Sequence, residues 1–195
     1  MKKLLILAVV ALASLTASAQ QGVGTWSVTP KVGFNLATVT DSDAGMKFGV
    51  VTGADLTYQL AEKFALSAGA FYSMQGAKDK DDGATFTSKL DYINVPLLAS
   101  YYVIPGLAIK VGLQPGFNLS HKTKVEYQGH SSEEDIPTFK SFDLSIPIGA
   151  SYEFNDFVID ARYNFGLTKL VDQPGNSSKN SVIQFTVGYK ISLGN

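Results

Sequence analysis

In the segment that follows residue 20, apolar side chains recur at every second position. Between residues 157 and 168 the interleaved positions are small or polar, and the apolar set is Phe157, Ile159, Ala161, Tyr163, Phe165 and Leu167. Successive side chains of a β-strand point to opposite faces, so this period of two predicts a strand with one apolar face. The last segment repeats the pattern with Ile183, Phe185, Val187, Tyr189, Ile191 and Leu193.

Eight segments alternate in this way: 26–37, 46–60, 63–76, 86–103, 107–124, 139–153, 157–170 and 181–193. Tight turns are predicted at 61–62, 104–106 and 154–156, and longer polar connections at 38–45, 77–85, 125–138 and 171–180. An even strand number with connections of alternating length is typical of outer-membrane proteins. We therefore predict an all-β fold: an eight-stranded antiparallel up-and-down transmembrane β-barrel with short periplasmic turns and long extracellular loops.

Four prolines lie inside the predicted strands: Pro30, Pro96, Pro115 and Pro147. Each proline lacks the N–H that a strand donates to its neighbour. We therefore expect bulges or irregular pairing at these positions.

The set of small and polar positions distinguishes a membrane barrel from a soluble one, such as a lipocalin. Nine glycines belong to it: Gly33, Gly49, Gly53, Gly69, Gly112, Gly116, Gly149, Gly166 and Gly188. Glycine weakens a strand that faces water, whereas a narrow eight-stranded lumen leaves room only for small or tightly packed side chains. The pattern favours a polar face toward the lumen and an apolar face toward lipid.

Aromatic residues of the apolar set fall near the two ends of the strands. The band predicted at the periplasmic end is Trp26, Tyr58, Phe64, Tyr101, Tyr152, Phe157 and Tyr189, and the opposite band is Phe34, Phe48, Tyr72, Phe117, Phe142 and Phe165. Members of one strand are separated by roughly 20–25 Å at ordinary strand rise and tilt. We interpret the two bands as interfacial girdles, against the alternative of ordinary core aromatics.

The N-terminal segment 1–19 has the features of a secretory signal peptide. Lys2 and Lys3 precede an apolar run, and Ala17-Ser18-Ala19 forms a small-x-small cleavage site. We predict cleavage after Ala19, export, and a barrel domain over residues 20–195 in the bacterial outer membrane. The alternative is a buried N-terminal helix.

Composition excludes several classes of function. The 195 residues include no cysteine, and 16 Lys and Arg stand against 17 Asp and Glu. A disulfide framework and a cysteine-ligated zinc site both need thiols, and nucleic-acid binding needs a basic surface. We expect no cofactor and no nucleic-acid partner, and a monomer whose partners are outer-membrane lipid and lipopolysaccharide.

The stretch Leu90–Tyr102, with Tyr92, Val95-Pro96-Leu97-Leu98 and Tyr101 in order, resembles a strand of the PorT-like outer-membrane β-barrel family. The segments Ala19-Gln20 and Lys31–Asn35 are similar to that family too. The resemblance implies an outer-membrane barrel and implies no catalytic residues.

Eight charged residues have the parity of the lumen face: Lys31, Asp55, Lys110, Asp143, Glu153, Asp160, Arg162 and Lys190. An unpaired charge in a narrow lumen is unfavourable, so we predict salt-bridged networks. We expect Lys110, Glu153, Asp160 and Lys190 to group at the periplasmic end. These networks form a structural plug in our interpretation, and an ion or proton path is the alternative.

The predicted loops are acidic and contain the residues most suggestive of chemistry. Asp79–Gly83 has part of a calcium-loop pattern, but position 90 is Leu where a bidentate Glu is needed. His130, Ser131 and Glu133 bring together groups that lipid hydrolases use, but they lie in a predicted loop, and catalysis requires rigid geometry. We predict no enzyme and no metal site.

Two classes of function remain. One is a structural or surface-interaction barrel with a filled lumen, and the other is a narrow pore or a secretion-system accessory. Side chains fill a barrel of eight strands, which favours the first class.

Overall fold

The computed structural model describes residues 22–40, 45–81, 84–127, 130–135, 140–170 and 177–194, so the predicted signal peptide lies outside the described residues. Strands occupy most of these ranges: β1 (Trp26–Val39), β2 (Gly45–Ala61), β3 (Phe64–Asp81), β4 (Ala84–Asn94), β5 (Leu97–Ile104), β6 (Leu107–Tyr127), β7 (His130–Asp135), β8 (Phe142–Phe154), β9 (Phe157–Gly166), β10 (Asn180–Tyr189) and β11 (Ile191–Gly194). The predicted all-β class is confirmed.

The strands pair in a ring of eight positions. Strands β4 and β5 share one position, β10 and β11 share another, and β7 is attached to β6 alone. Strand β1 pairs with β2 on one side and with β10 on the other, from Lys31 opposite Gly188 to Val39 opposite Asn180. Every pairing in the ring is antiparallel, as predicted for an up-and-down arrangement.

Two-residue turns join three pairs of strands: 62–63, 105–106 and 155–156. Gly106 has a φ of 81°, and a Cβ at this position would lie 2.7 Å from the Glu153 carbonyl oxygen, so the turn requires glycine. Asn155 has a φ of 51°, a left-handed conformation that asparagine tolerates.

Each in-strand proline lies where strand pairing is interrupted. Pro96 separates β4 from β5, and Pro115 lies across from that break, where its carbonyl accepts the Val95 N–H at 2.8 Å. Pro147 falls in the gap of the β6–β8 ladder, and Pro30 falls where β1 changes partner from β11 to β10. The expected irregular pairing is therefore present. Each proline, which has no N–H to donate, lies where a ladder of backbone hydrogen bonds is interrupted.

Two predicted strands are broken. The segment predicted at 86–103 divides at Val95-Pro96 into β4 and β5, and the segment predicted at 181–193 divides at Lys190 into β10 and β11. The Lys190 N–H donates to the Asp156 carbonyl in the neighbouring turn at 2.6 Å instead of continuing the ladder.

Two predicted loops were wrong, because strands continue into them. β3 runs to Asp81 and β4 starts at Ala84, inside the predicted loop 77–85, while β6 runs to Tyr127 and β7 occupies part of the predicted loop 125–138. Thus β3, β4, β6 and β7 extend beyond the ring as one sheet. Lysine, aspartate, threonine and serine dominate these extensions, so the apolar alternation that marks the other strands is weaker here.

The apolar and polar faces are inverted relative to a soluble barrel. Large apolar side chains such as Val32 and Ile109 are more than half exposed, at 59% and 52%. The buried side chains of the same ring include Lys31, Asp160 and Arg162, each at most 5% exposed. The predicted parity of the two faces holds along the ring, and the soluble alternative does not fit this arrangement.

Glycine lets the strands and lumen side chains approach closely. A Cβ at Gly149 would lie 2.3 Å from the Ala161 carbonyl oxygen and 2.7 Å from the Arg162 Cα. Gly149 stands between Lys110 and Arg162 in cross-strand register, so it leaves room for two long charged side chains.

Substituting Gly149→Ala is expected to lower the free energy of unfolding by about 1–3 kcal/mol, because the added methyl group meets backbone atoms that cannot rotate away. The measurement is urea unfolding of the protein refolded in detergent. Gly22→Ala is the control, since its Cβ would meet only the Thr25 Cγ2, at 3.7 Å. Equal stability of both variants and the parent would contradict the steric account.

Candidate functional site

All eight predicted lumen charges point into the ring. Seven are buried, and the Lys110 side chain is 12% exposed. Asp160 and Arg162 lie two residues apart on β9 and therefore share its inner face.

Asp160 is the centre of the largest group of charges. Its Oδ2 accepts hydrogen bonds from the Lys110 Nζ at 2.8 Å and from the Lys31 Nζ at 3.3 Å, and its Oδ1 accepts one from the Arg162 Nε at 2.9 Å. Three cations from three strands thus converge on one carboxylate, which is 1% exposed.

Asp55 adds a second carboxylate to this group. Its Oδ2 lies 2.7 Å from the Lys31 Nζ and 4.0 Å from an Arg162 terminal nitrogen. We call Lys31, Asp55, Lys110, Asp160 and Arg162 the Asp160 cluster. It joins β1, β2, β6 and β9 across the lumen, so its ion pairs cross-link strands that are not all neighbours in the ring.

An aromatic ring completes the middle of the lumen. The Arg162 guanidinium lies 5.7 Å from the centroid of the Phe71 ring, within the range of a cation–π contact. A Cβ at Gly69 would lie 2.7 Å from this ring and 2.3 Å from the Asp55 Oδ1. The glycine therefore admits both the ring and the carboxylate.

A second pair lies toward the two-residue turns. The Lys190 Nζ contacts the Glu153 Oε2, and the Tyr102 hydroxyl donates to the Glu153 Oε1 at 2.8 Å. Tyr102 also packs with Ala65 and Ala108. The sequence predicts Lys110, Glu153, Asp160 and Lys190 as one group at this end.

The structure divides that expected group in two. Lys110 pairs with Asp160, whereas Glu153 pairs with Lys190. The group divides because each carboxylate bonds to the cations nearest to it. Asp160 is within bonding distance of three cations, whereas Lys190 lies at the break between β10 and β11, beside the Glu153 carboxylate.

Asp143 lies apart from the other charges, near the opposite end of the ring. It accepts a hydrogen bond from the Asn180 amide at 3.0 Å and another from the Thr168 hydroxyl. Beside it the Asn180 amide also donates to the Tyr92 hydroxyl at 3.3 Å. This end carries a polar network around a carboxylate without a described ion pair.

An apolar cap covers the same end. Leu90 and Tyr92 pack with Leu170, which follows β9 and is 4% exposed. The Leu170 N–H donates to the Ser178 carbonyl at 2.9 Å, and its carbonyl accepts the Lys140 N–H at 2.8 Å. Backbone hydrogen bonds therefore fix this residue where it packs against Leu90 and Tyr92.

The predicted set of lumen residues omits three aromatic side chains, Phe71, Tyr92 and Tyr102. Each has the inward parity of its strand and is at most 4% exposed. Their inward orientation could have been predicted from the alternation of faces, because each stands two positions from a small or polar inward residue on the same strand, such as Gly69 for Phe71.

The aromatic residues of the predicted girdles lie on the outer face, and their ring contacts stay within one band. In the band near the two-residue turns, Trp26 contacts Tyr58 at 4.7 Å between centroids, Phe64 contacts Tyr101 at 5.1 Å, and Phe157 contacts Tyr189 at 5.4 Å. In the opposite band, the pairs are Phe34 with Phe48 at 5.5 Å and Phe117 with Phe142 at 5.7 Å. The remaining predicted members, Tyr72, Tyr152 and Phe165, are likewise at least partly exposed.

Phe185, which the predicted bands omitted, contacts Phe34 at 5.3 Å. It extends the band opposite the turns onto β10.

The candidate calcium and hydrolase residues of the predicted loops fall largely outside the described side chains, including those of Asp79, His130 and Glu133. Among the side chains that are described, no three His, Cys, Asp or Glu residues come together as a metal site requires. The described residues also include no helix that is long and apolar enough to cross a membrane.

The family model of the outer membrane protein beta-barrel domain matches residues 17–172. No curated protein matches the chain. The attachment invasion locus protein Ail of Yersinia pestis, crystallised with the heparin analogue sucrose octasulfate, has 17% identity and a TM-score of 0.54, over 87% of this chain and 100% of that chain. Neisserial surface protein A has 17% identity and a TM-score of 0.48, over 85% and 96% of the two chains. At 17% identity, the likeness to Ail shows a shared fold alone.

Replacing Asp160→Asn is expected to lower the free energy of unfolding by about 3–5 kcal/mol, because three buried cations lose their common carboxylate. Urea unfolding in detergent measures the change. Asp156→Asn is the matched control: the side chain of this exposed turn residue accepts a hydrogen bond from the exposed Tyr189 hydroxyl, and we expect a change within about 0.5 kcal/mol. Similar losses in both variants would contradict the assigned role of Asp160.

Proposed function

Because the chain belongs to the outer membrane protein beta-barrel domain family, we propose that it is an integral protein of the bacterial outer membrane, with a closed barrel whose lumen is filled by side chains. The observation that carries the proposal is the inverted distribution of side chains, with apolar residues outside and paired charges inside. Lipid solvates the outer face, and the ring of strands satisfies the backbone groups within the bilayer.

The filled lumen supports a structural or surface-interaction role over transport. The Asp160 cluster and Phe71 occupy the middle, Tyr102 with Glu153 and Lys190 occupies the turn end, and the Leu90, Tyr92 and Leu170 cap occupies the other end. In these three layers the side chains fill the lumen as a plug, and the ion pairs among them cross-link the strands of the barrel wall. No described group is arranged for covalent catalysis, and we propose a protein that is not an enzyme.

The extended sheet of β3, β4, β6 and β7 supports a surface role. It continues the wall of the barrel past the aromatic band opposite the two-residue turns. In our proposal this sheet stands outside the cell, where it meets lipopolysaccharide or a partner molecule, and the barrel is a monomer. The two-residue turns face the periplasm.

A narrow pore or a secretion accessory of the PorT-like type remains the second candidate. One observation favours an accessory role: the resembling motif coincides with the break between β4 and β5, where an apolar groove of about 630 Å³ opens on the outer face beside Trp26, Leu56, Leu97 and Leu113. Capture of the intact barrel from membranes distinguishes the two, because an accessory co-purifies with a stoichiometric membrane partner.

In planar bilayers we expect the purified barrel to give no steady single-channel currents, because three layers of side chains fill the lumen. A conducting porin, measured in the same bilayers, serves as the positive control. Steady currents that Arg162→Ala abolishes would contradict the plug and favour the pore.

The proposed orientation predicts a labelling pattern on intact cells. The chain has no cysteine, so single variants Lys122→Cys in β6 and Lys63→Cys in a two-residue turn each carry one thiol on an exposed position. A membrane-impermeant maleimide is expected to label Lys122→Cys and to leave Lys63→Cys unlabelled until the cells are opened. The reverse pattern would show the opposite orientation, and labelling of both only after lysis would contradict a place at the cell surface.

A further inference from the structure

The Asp160 cluster contains one more positive charge than negative. Lys31, Lys110 and Arg162 supply three cations, and Asp55 and Asp160 supply two carboxylates. The neighbouring Glu153–Lys190 pair is neutral and does not change the balance. Asp143 bonds with the uncharged Asn180 and Thr168 toward the other end of the ring.

An uncompensated charge in this position is energetically unfavourable. The side chains of Lys31, Asp55, Asp160 and Arg162 are at most 4% exposed, so bulk ions cannot surround them. A buried ion is stabilised only by partners close to it. One more negative partner inside the lumen would therefore stabilise the excess positive charge.

A small cavity adjoins the cluster at the place where such a partner would fit. Lys31, Lys110 and Lys190 line it, together with Thr57 and Ser100. Asp55 and Glu153 also line it, and their carboxylates are already paired with Lys31 and Lys190.

The cavity volume of about 20 Å³ limits the ligand to one small particle. A single water-sized particle needs roughly 10–15 Å³ on the same measure. Phosphate and sulfate, with five heavy atoms each, exceed this space. A monatomic anion fits it.

Two groups in the cluster have unused donors. An ammonium group has three N–H donors, and the structure gives the Lys110 Nζ one carboxylate partner, the Asp160 Oδ2 at 2.8 Å. Both terminal nitrogens of Arg162 are buried without a hydrogen-bond acceptor among the described residues. Lys110 and Arg162 therefore have donors for a further acceptor, while the Asp55 Oδ1 is also buried without a hydrogen-bond partner among the described residues.

We propose that the lumen cavity binds one halide ion, chloride under physiological conditions, with the Lys110 and Lys31 ammonium groups as its principal ligands. The ion balances the charge of the Asp160 cluster and supplies an acceptor to Lys110. The site rests on the filled lumen proposed above, and it makes chloride a structural component of the plug.

The test compares the full mature chain, refolded in detergent with sodium chloride, sodium bromide or sodium gluconate at equal ionic strength. Gluconate is too large for the cavity. We expect the thermal unfolding midpoint to be about 2–4 °C higher in chloride and in bromide than in gluconate. No difference between the salts would overturn the proposal.

The variant Lys110→Met removes the excess charge and keeps a side chain of similar length. Its midpoint is expected to be the same in all three salts, whereas the exposed-turn variant Lys63→Met keeps the halide dependence of the parent. A halide effect that persists unchanged in Lys110→Met would place the ion elsewhere and overturn the site.

Crystals of the parent grown in bromide give a second readout that does not depend on stability. An anomalous peak between Lys31, Lys110 and Lys190 is expected, and its absence at full data quality would overturn the proposal. A missing bromide peak would overturn the halide site without affecting the proposal of a sealed barrel. Failure of the proposed function would instead appear as steady current in the planar bilayer.

Discussion

The ladder between β1 and β10 is the interaction on which the rest of the structure depends. Its nine residue pairs, from Lys31–Gly188 to Val39–Asn180, join the first and last positions of the sheet and so separate an inside from an outside. With eight positions the inside is narrow, so each large inward side chain needs small neighbours. The glycines follow from that limit, because Gly69 and Gly149 stand beside the longest inward groups.

The inward charges contribute strand-to-strand contacts that the backbone ladders cannot make. Asp160 on β9 holds Lys31 of β1 and Lys110 of β6, so its ion pairs span the lumen instead of following neighbouring strands. A buried network of this kind is stable only when nearly every charge has a partner, and removal of one member leaves the others uncompensated. For the same reason, the excess positive charge of the Asp160 cluster favours an anion as the ligand in our proposal.

Much of the fold and part of the site could be predicted from the sequence. The alternation from Phe157 to Leu167 identified both faces of β9, and Pro96 marked the place where one strand breaks. The pairing of charges could not be predicted, since Lys31 and Asp160 are 129 residues apart and meet only through closure of the ring. Strand β7 was missed because its polar sequence carries no apolar alternation, and Leu170 because a cap formed after β9 leaves no periodic signal.

The most direct test of the account is a nitroxide scan along β9, from Phe157 to Phe165, in the cysteine-free chain reconstituted in lipid bilayers. The account predicts that collision with oxygen has a period of two, with maxima at Ile159, Ala161 and Tyr163, while a water-soluble nickel complex reaches none of these three. Nickel accessibility at the same three positions would contradict it, because the apolar face would then be in water and not in lipid.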